Sequence, residues 1–215
     1  DIWGSSRRPV MSGPLVMVST VIVSVSAGLA FRKNFKGSGV LFYMAITSLV
    51  IPSILISLGV GLIFNQLGFK VHWATSGFGS QLTWTLPFGL LIIFAVFNRF
   101  DKSYEEAARD QGATPWQTIR FVILPIIAPS LIGVALFGFT LSYDEFARTL
   151  LTAGSYNTLP LDIFGITTNV TTPVIYALGT LTTLFSLLII AVFLLIVWIM
   201  GRRRRKLGSD AGAGV

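Results

Sequence analysis

The 215-residue sequence has no cysteine and only one histidine, His72. It therefore cannot form disulfide bonds or thiolate metal sites, and one histidine cannot build a histidine-rich metal site. Charged residues are also scarce, at 12% of the chain against about 25% in soluble domains. With 53% hydrophobic residues and a mean hydropathy of +0.77, this composition excludes a disordered chain, a coiled coil and an ordinary soluble enzyme.

Two groups of catalytic motifs are missing as well. No G-x-x-x-x-G-K-[ST] sequence is present, so the chain has no phosphate-binding loop of its own for ATP. His72 precedes Ser76 and Ser80, but that spacing alone gives no nucleophile and base of a hydrolase. We therefore expect no catalytic residue, no metal and no cofactor, and any energy from ATP has to come from a separate subunit.

What the chain does have is apolar runs of about 20 residues, the length that crosses a bilayer as a helix. Five such runs are predicted at roughly 14–31, 39–64, 82–98, 126–147 and 176–200. The second run is long enough to tilt or to include an interfacial turn at Pro52. The sequence thus predicts an all-α, polytopic membrane protein whose residues 1–215 form a single transmembrane domain.

The net charge of +7 would suggest nucleic-acid binding in a soluble protein, but here the positive residues follow the ends of the apolar runs. If the five spans alternate, twelve Lys and Arg residues share one side and four share the other. The twelve are Arg32, Lys33, Lys36, Arg99, Lys102, Arg109, Arg120, Arg202, Arg203, Arg204, Arg205 and Lys206, and the four are Arg7, Arg8, Lys70 and Arg148. The positive-inside rule then places the 99–125 region and the C-terminus in the cytoplasm.

The segment before the first span is then outside, which predicts a six-span fold whose first span is missing. The basic run Arg202–Lys206 orients the last span, and binding of anionic membrane lipid is its alternative role. Small residues in two spans predict close helix packing. They are Ser24, Ser26, Ala27 and Gly28 in the first span and Gly133, Ala135 and Gly138 in the fourth.

Residues 101–125, DKSYEEAARDQGATPWQTIRFVILP, form a polar loop with organised helix signals. A capping box with Ser103 as N-cap and Glu106 predicts a first short helix, which Gly112 ends in a left-handed conformation. Thr114-Pro115-Trp116-Gln117 predicts a second capping box and a second helix up to Leu124, with Pro125 at the entry to the fourth span. On spacing alone, an amphipathic hairpin lying on lipid headgroups remains an alternative.

This loop resembles the EAA loop of permease subunits of bacterial ABC importers. The resemblance is carried by Glu106, Ala107, Ala108, Gly112, Ile119, Leu124 and Pro125. Downstream, the segments 141–146 (LSYDEF), 158–161 (TLPL) and 172–178 (TPVIYAL) are similar to the spermidine/putrescine branch of that family.

The resemblance implies a non-catalytic permease subunit in the bacterial inner membrane. It implies that the EAA loop couples the chain to a pair of cytoplasmic ATP-binding subunits. It also implies a second permease subunit, identical or different, and an external solute-binding protein. The expected solute is a polyamine or a similar small cation; iron, phosphonate, opine or amino-acid-like solutes remain alternatives, as do a passive channel and a membrane scaffold without transport.

Candidate solute contacts are Tyr143, Asp144 and Glu145 at the outer end of the fourth span, because two acids and an aromatic ring attract an ammonium group. The alternative is a helical salt bridge from these acids to Arg148, which follows them by four and three residues. Trp84 is a further pathway candidate, although it and Trp73 also fit interfacial anchors. The 149–175 segment is expected to form an outer gate, a docking surface for the binding protein, or a connector.

Overall fold

The computed structural model describes residues 2–33, 35–169 and 173–212, with side chains for 3–33, 35–168 and 173–202. The expectations for the side chains of Arg203–Lys206 and for Thr172 lie outside these residues. The described part of the chain forms nine α-helices. They are α1 (Ile2–Phe31), α2 (Ser38–Val50), α3 (Ser53–Gln66), α4 (Phe78–Asn98), α5 (Ser103–Asp110), α6 (Pro115–Thr118), α7 (Leu124–Tyr143), α8 (Leu159–Asn169) and α9 (Pro173–Gly212).

Four continuous helical stretches are long and apolar enough to cross a membrane: Trp3–Phe31, Trp73–Asn98, Pro115–Tyr143 and Pro173–Arg202. They correspond to the predicted first, third, fourth and fifth spans, and the all-α fold class is confirmed. Each helix begins earlier than its apolar run, because helical backbone continues into the polar flanks. The fourth span ends at Tyr143 rather than at residue 147, so Asp144 and Glu145 lie beyond the helix.

The predicted second span is a broken pair. Helices α2 and α3 are bent by 109° relative to one another. Pro52 has no backbone N–H, and Ile51 before it is extended at φ −71° and ψ 130°, as a residue preceding proline prefers. Of the two alternatives for this span, the turn at Pro52 is present, and a single tilted helix over 39–64 is wrong.

The two arms of this pair connect opposite ends of the molecule. At one end, the Arg8 guanidinium lies 5.2 Å from the Tyr156 ring, and the His72 ring lies 5.0 Å from the same ring. At the other end, Arg32 pairs with Glu105. Because α2 begins soon after Arg32 and α3 ends soon before His72, the pair makes one crossing despite its bend.

Helices α1, α4 and α7 pack against one another and form the core. Its buried apolar cluster consists of Ile93, Phe97, Ile123, Ile127 and Val134. Two polar contacts cross this core: Thr20 Oγ1 donates to Thr85 Oγ1 at 2.7 Å, and Ser142 Oγ donates to Gln81 Oε1 at 2.8 Å. Such paired polar groups tie spans together at a depth where an unpaired group would be costly.

Helix α9 lies outside this core. It contacts α7 and α8, but no described side chain of its apolar stretch is buried. Exposed leucines such as Leu181, Leu187 and Leu194 cover its surface. An apolar helix this exposed has to be covered by lipid or by another membrane subunit.

Candidate functional site

The 101–125 loop starts at a helix cap that differs from the predicted one. Asp101 Oδ1 accepts a hydrogen bond from the Ser103 amide at 2.9 Å, and the pKa of Asp101 is lowered mainly by this bond. The residue preceding α5 is Lys102, and no side chain caps the helix from that position. The predicted capping box of Ser103 with Glu106 is therefore wrong. The Asp101 side chain, rather than that of Ser103, accepts from a backbone amide at the start of α5.

Helix α5 is held against α1 by an ion pair that the sequence analysis missed. Arg32, just after α1, donates from Nη2 to Glu105 Oε1, and Arg109 Nη2 lies 3.9 Å from Glu105 Oε2. The Arg32 guanidinium also lies 4.9 Å from the Phe97 ring and 5.3 Å from the Phe100 ring. Glu105, rather than Glu106, thus fixes the position of α5, and no local pattern relates residues 73 positions apart.

The turn between α5 and α6 follows the prediction. Gly112 has φ +80°, the left-handed conformation that ends a helix and favours glycine. Thr114 Oγ1 accepts from the Gln117 amide, and Gln117 Oε1 accepts from the Thr114 amide at 2.8 Å. The second capping box is confirmed, with Pro115 at the first helical position.

Beyond α6 the chain does not break before the fourth span. A π-helical turn at Ile119–Ile123 joins α6 to α7, and the Leu124 amide bonds to the carbonyl of Ile119, five residues earlier. Pro125 cannot donate a hydrogen bond, which accounts for the locally widened helix. Helical backbone is therefore continuous from Pro115 to Tyr143, and the 101–125 loop is directly connected to the span.

The seven predicted coupling residues lie along this loop and its junction with α7. Glu106, Ala107, Gly112 and Pro125 are exposed, whereas Ala108, Ile119 and Leu124 are half-buried. The Glu106 carboxylate has no ion pair among the described residues. The structure also exposes three large aromatic side chains here that were not predicted as contacts: Tyr104 (54% exposed), Trp116 (64%) and Phe121 (66%).

A basic cavity of about 510 Å³ lies between the loop and the end of α1. Its charged lining residues are Arg32, Lys33, Lys102, Glu105 and Arg109. Arg32 and Lys33 follow the first predicted span, and Lys102 and Arg109 follow the third. The alternation of spans put both groups on one side. The structure brings them together, as that prediction requires.

A second cavity, of about 350 Å³, lies at the end of α7 between α8 and α9. Tyr143 and Asp144 line it together with Thr182 and Thr183 of α9. Thr182 Oγ1 donates to the Gly179 carbonyl at 2.9 Å, and Thr183 Oγ1 donates to the same carbonyl at 2.8 Å. With each hydroxyl hydrogen directed at this carbonyl, the two oxygens are available to accept further hydrogen bonds.

Asp144 is the only carboxylate lining this cavity among the described residues, and it makes no side-chain hydrogen bond or ion pair with them. The Tyr143 ring packs between Phe139 at 5.9 Å and Phe185 at 5.1 Å. The cavity therefore combines one free negative charge, an aromatic residue and hydroxyl acceptors. Gly179, Thr182 and Thr183 were not predicted, because nothing in α9 distinguishes them from other small polar residues of that helix.

Glu145 and Arg148 do not form the predicted helical salt bridge. Residues 144–148 are not helical, and Glu145 Oε1 accepts instead from the backbone amide of Arg148 at 2.8 Å. Arg148, which the charge count assigned to the outer side, is fully buried. Its guanidinium lies 4.8 Å from the ring of Trp84, which is half-buried.

The 149–175 segment has more structure than a connector. It contains α8, which packs against α1 and α9, and Asn157 Nδ2 donates to Asp162 Oδ1 at 2.7 Å near its start. In the preceding outer turn, His72 Nδ1 accepts from the Ala74 amide, and Ser76 Oγ donates to the Thr152 carbonyl. These contacts are structural, and His72 and Ser76 are not arranged as a base and a nucleophile.

Comparison with known proteins gives a family match over most of the chain. A family model described as "Binding-protein-dependent transport system inner membrane component" matches residues 20–206.

Two relatives show the same similarity at the level of whole sequences. The spermidine/putrescine transport system permease protein PotC of Haemophilus influenzae is 30% identical over 184 residues, covering 83% of this chain and 70% of the relative. The putrescine transport system permease protein PotI of Escherichia coli K12 is 32% identical over 154 residues, covering 69% of this chain and 55% of the relative. The chain thus spans between about half and 70% of the length of these curated relatives.

A solved structure has the same fold. It is a chain from a structure described as inward-facing conformations of the MetNI methionine ABC transporter. The TM-score is 0.69 at 17% sequence identity, with 93% of this chain and 94% of that chain covered. At this identity the similarity establishes the fold alone.

Proposed function

The chain belongs to the family of binding-protein-dependent transport system inner membrane components, and from this premise we propose that it is the permease subunit of an ATP-driven importer for a polyamine or a similar small cation. It is a multi-pass inner membrane protein and a transport subunit rather than an enzyme. In this proposal residues 1–215 act as one transmembrane domain that forms half of the translocation pathway.

The solute assignment rests on the cavity at the end of α7. Asp144 supplies an unpaired negative charge there, and Thr182 and Thr183 supply oxygens that are available to accept hydrogen bonds. A protonated amine has several donors and no acceptor, so it matches this lining. An anionic solute such as a phosphonate does not. The names of the PotC and PotI relatives point to the same solute class.

Coupling to the ATPase is assigned to the 101–125 loop. Its predicted coupling residues Glu106, Ala107 and Gly112 are exposed, and the rigid connection from Pro115 into α7 can pass a displacement of the loop to the span. The exposed aromatic residues Tyr104 and Trp116 suit a protein contact, because such residues are enriched at interfaces. We place this loop and the C-terminus in the cytoplasm, facing a pair of ATP-binding subunits.

The remaining partners follow from the same proposal. The uncovered apolar surface of α9 and α2 leaves area for a second permease subunit within the membrane. A solute-binding protein would deliver the solute at the opposite end, near Tyr156 and α8. No contact with nucleic acid is expected.

The first prediction tests the solute assignment by removing the charge of Asp144. The complete complex, purified through a tag on this chain and reconstituted in proteoliposomes, should take up labelled putrescine or spermidine only with ATP. In Asp144→Asn we expect the KM for uptake to rise roughly 10- to 100-fold, because a hydrogen bond to a charged group contributes about 1.5–3 kcal/mol.

Asp162→Asn is the matched control, since Asp162 is a carboxylate near the same end of the molecule that does not line the cavity. Unchanged KM in Asp144→Asn, or an equal rise in Asp162→Asn, would contradict the solute assignment. Solute flux without ATP would instead support a passive channel. Purification of the chain without any ATPase would support a scaffold.

A further inference from the structure

Arg148 is a buried cation, and Glu145, an acidic residue that interacts with its charge, bonds to its backbone amide rather than to its guanidinium. Its side chain is completely inaccessible, and no carboxylate forms an ion pair with the guanidinium among the residues that the structure describes. It contacts Ser48, near the end of α2. Buried ionisable residues in membrane proteins are rare and tend to have a function.

All three nitrogens of the guanidinium donate to neutral oxygens where the end of α2, the start of α3 and α4 meet. Nη2 donates to the Ser48 carbonyl at 2.9 Å, Nε donates to Ser53 Oγ at 3.3 Å, and Nη1 donates to Thr83 Oγ1. The ring of Trp84 covers the guanidinium at 4.8 Å. The partners come from the end of α2, the start of α3 and one turn of α4.

The contact with Ser48 replaces a hydrogen bond that the sequence removes. In a continuous helix the carbonyl of Ser48 would accept from the amide of residue 52. That residue is Pro52, which has no N–H. Arg148 therefore supplies the missing donor at the point where α2 ends, and the same guanidinium reaches Ser53 in the first turn of α3.

The backbone of Arg148 is itself fixed. Its carbonyl accepts from Ser80 Oγ at 2.7 Å and from Thr152 Oγ1 at 2.6 Å, and its amide donates to Glu145. A second contact joins the same segment to α3, because the Leu151 amide donates to Ser57 Oγ at 3.0 Å. The backbone of Arg148 is thus held by hydrogen bonds, and its guanidinium reaches the junction between α2 and α3 at Pro52, which we call the corner. At the corner the backbone hydrogen bonds of the helix are interrupted.

We propose that Arg148 is a positioning residue that holds the corner between α2 and α3 at its sharp angle and joins it to the segment carrying the Asp144 cavity. Without its guanidinium, the Ser48 carbonyl and Ser53 Oγ lose their bonds to Arg148, and the bond from Ser48 Oγ to the Thr83 carbonyl at 2.6 Å is left to hold the corner to α4. The corner then opens, and the broken span straightens or fluctuates. Lysine cannot take over, since its single nitrogen cannot reach Ser48, Ser53 and Thr83 in a planar arrangement.

The test measures the corner directly. The sequence has no cysteine, so it adds no background to spin labels on Leu41→Cys in α2 and Leu62→Cys in α3, and both positions are exposed. At about 1.5 Å per residue, these positions lie about 18 Å apart along helix axes bent by 109° and about 31 Å apart in a straight span. In the purified complex we expect a short, narrow distance distribution with Arg148 present, and a longer, broader one in Arg148→Met and Arg148→Lys.

A milder double variant keeps Arg148 and tests the proposal even if the Arg148 variants do not insert in the membrane. Ser53→Ala and Thr83→Val together remove two acceptors of the guanidinium but leave its charge, and they should broaden the distribution in the same direction. Arg8→Met is the matched control, because Arg8 also stacks on an aromatic ring, Tyr156, and donates to a backbone carbonyl, that of Asn157, away from the corner.

An unchanged distribution in Arg148→Met and in the Ser53→Ala, Thr83→Val pair would overturn the proposal. Equal broadening in Arg8→Met would overturn it too, since the effect would then be general loosening. One further readout rests on the proposed function: in ATP-driven uptake, Arg148→Lys should lower the maximal rate at least tenfold with little change in KM. If even the unmodified complex takes up no amine, the proposed function fails while the distance measurement still decides the role of Arg148.

Discussion

At the scale of single residues, close contacts with α1 depend on positions where no side chain can be placed. A Cβ on Gly28 would overlap Ile93 Cγ2, and a Cβ on Gly89 would overlap Ser24 Oγ. A Cβ on Gly138 would meet the backbone Cα of Met17 at 3.2 Å. Helices α4 and α7 therefore approach α1 at near-backbone distance, which is how spans associate in an apolar solvent.

The second prediction compares two glycines of the same helix. Gly138→Val should destabilise the chain by about 1–3 kcal/mol, because the backbone of α1 cannot move away from the added methyl groups. Gly133→Val should change stability by less than about 0.5 kcal/mol, since a Cβ added there would have no other atom within 4 Å. Unfolding in detergent followed by circular dichroism measures both, and equal losses would show that α7 is not packed on α1 through Gly138.

The same two glycines illustrate what sequence can resolve at this scale. Composition predicted that both Gly133 and Gly138 permit close packing, and only Gly138 does so. The residues are five apart on an apolar helix, so deciding which one faces α1 requires the rotation of α7. Arg148 is a similar case: its partner Ser48 is 100 residues away, and local spacing favoured the wrong partners, Asp144 and Glu145.

At the scale of secondary-structure elements, local sequence signals predicted the structure correctly where neighbouring residues alone determine the backbone conformation. The turn at Gly112, the capping box of Thr114 with Gln117 and the break at Pro52 depend on backbone chemistry within four residues, and all three are present. The predicted start of α5 was wrong because Asp101, two residues before Ser103, accepts from the Ser103 amide. The predicted second helix up to Leu124 continues into α7, because a π-helical turn at Ile119–Ile123 accommodates Pro125 without a break.

The third prediction concerns the turn that orients α5 relative to α6. Gly112 has φ +80°, which costs an ordinary L-residue about 1–2 kcal/mol and is worst for a β-branched side chain. Gly112→Ile should therefore rotate α5 out of place and reduce solute-stimulated ATPase activity of the complex at least tenfold. Gly112→Asn is the matched control, because asparagine tolerates the left-handed conformation and should retain most of the activity.

Both variants should insert in the membrane equally well, as quantified by immunoblot of the membrane fraction. Retained activity in Gly112→Ile would show that the geometry of this turn is not used in coupling. Loss of activity in both variants alike would point to the size of the side chain at the exposed position rather than to its backbone conformation.

At the scale of the whole molecule, charge separates the two ends of the bundle. One end gathers Arg32, Lys33, Lys102 and Arg109 around a single cavity, and the other holds Lys70 and the cluster of Arg8, His72 and Tyr156. The alternation of the predicted spans put these residues on opposite sides, and the positive-inside rule assigns the more basic side to the cytoplasm. The same rule predicts the direction in which the chain crosses the membrane.

The fourth prediction tests that direction by thiol labelling of introduced cysteines, since the sequence has no cysteine of its own. Ala107→Cys in α5 and Lys70→Cys after α3 are both exposed positions at opposite ends. A membrane-impermeant thiol reagent should label Lys70→Cys in intact spheroplasts and Ala107→Cys only after the membrane is opened.

When the ATPase is co-expressed, it should also slow labelling of Ala107→Cys, because the proposed coupling surface is then covered. Labelling of Ala107→Cys from outside would reverse the orientation and remove the 101–125 loop from any cytoplasmic ATPase, whereas correct sidedness without protection would keep the topology and reject the loop as the contact.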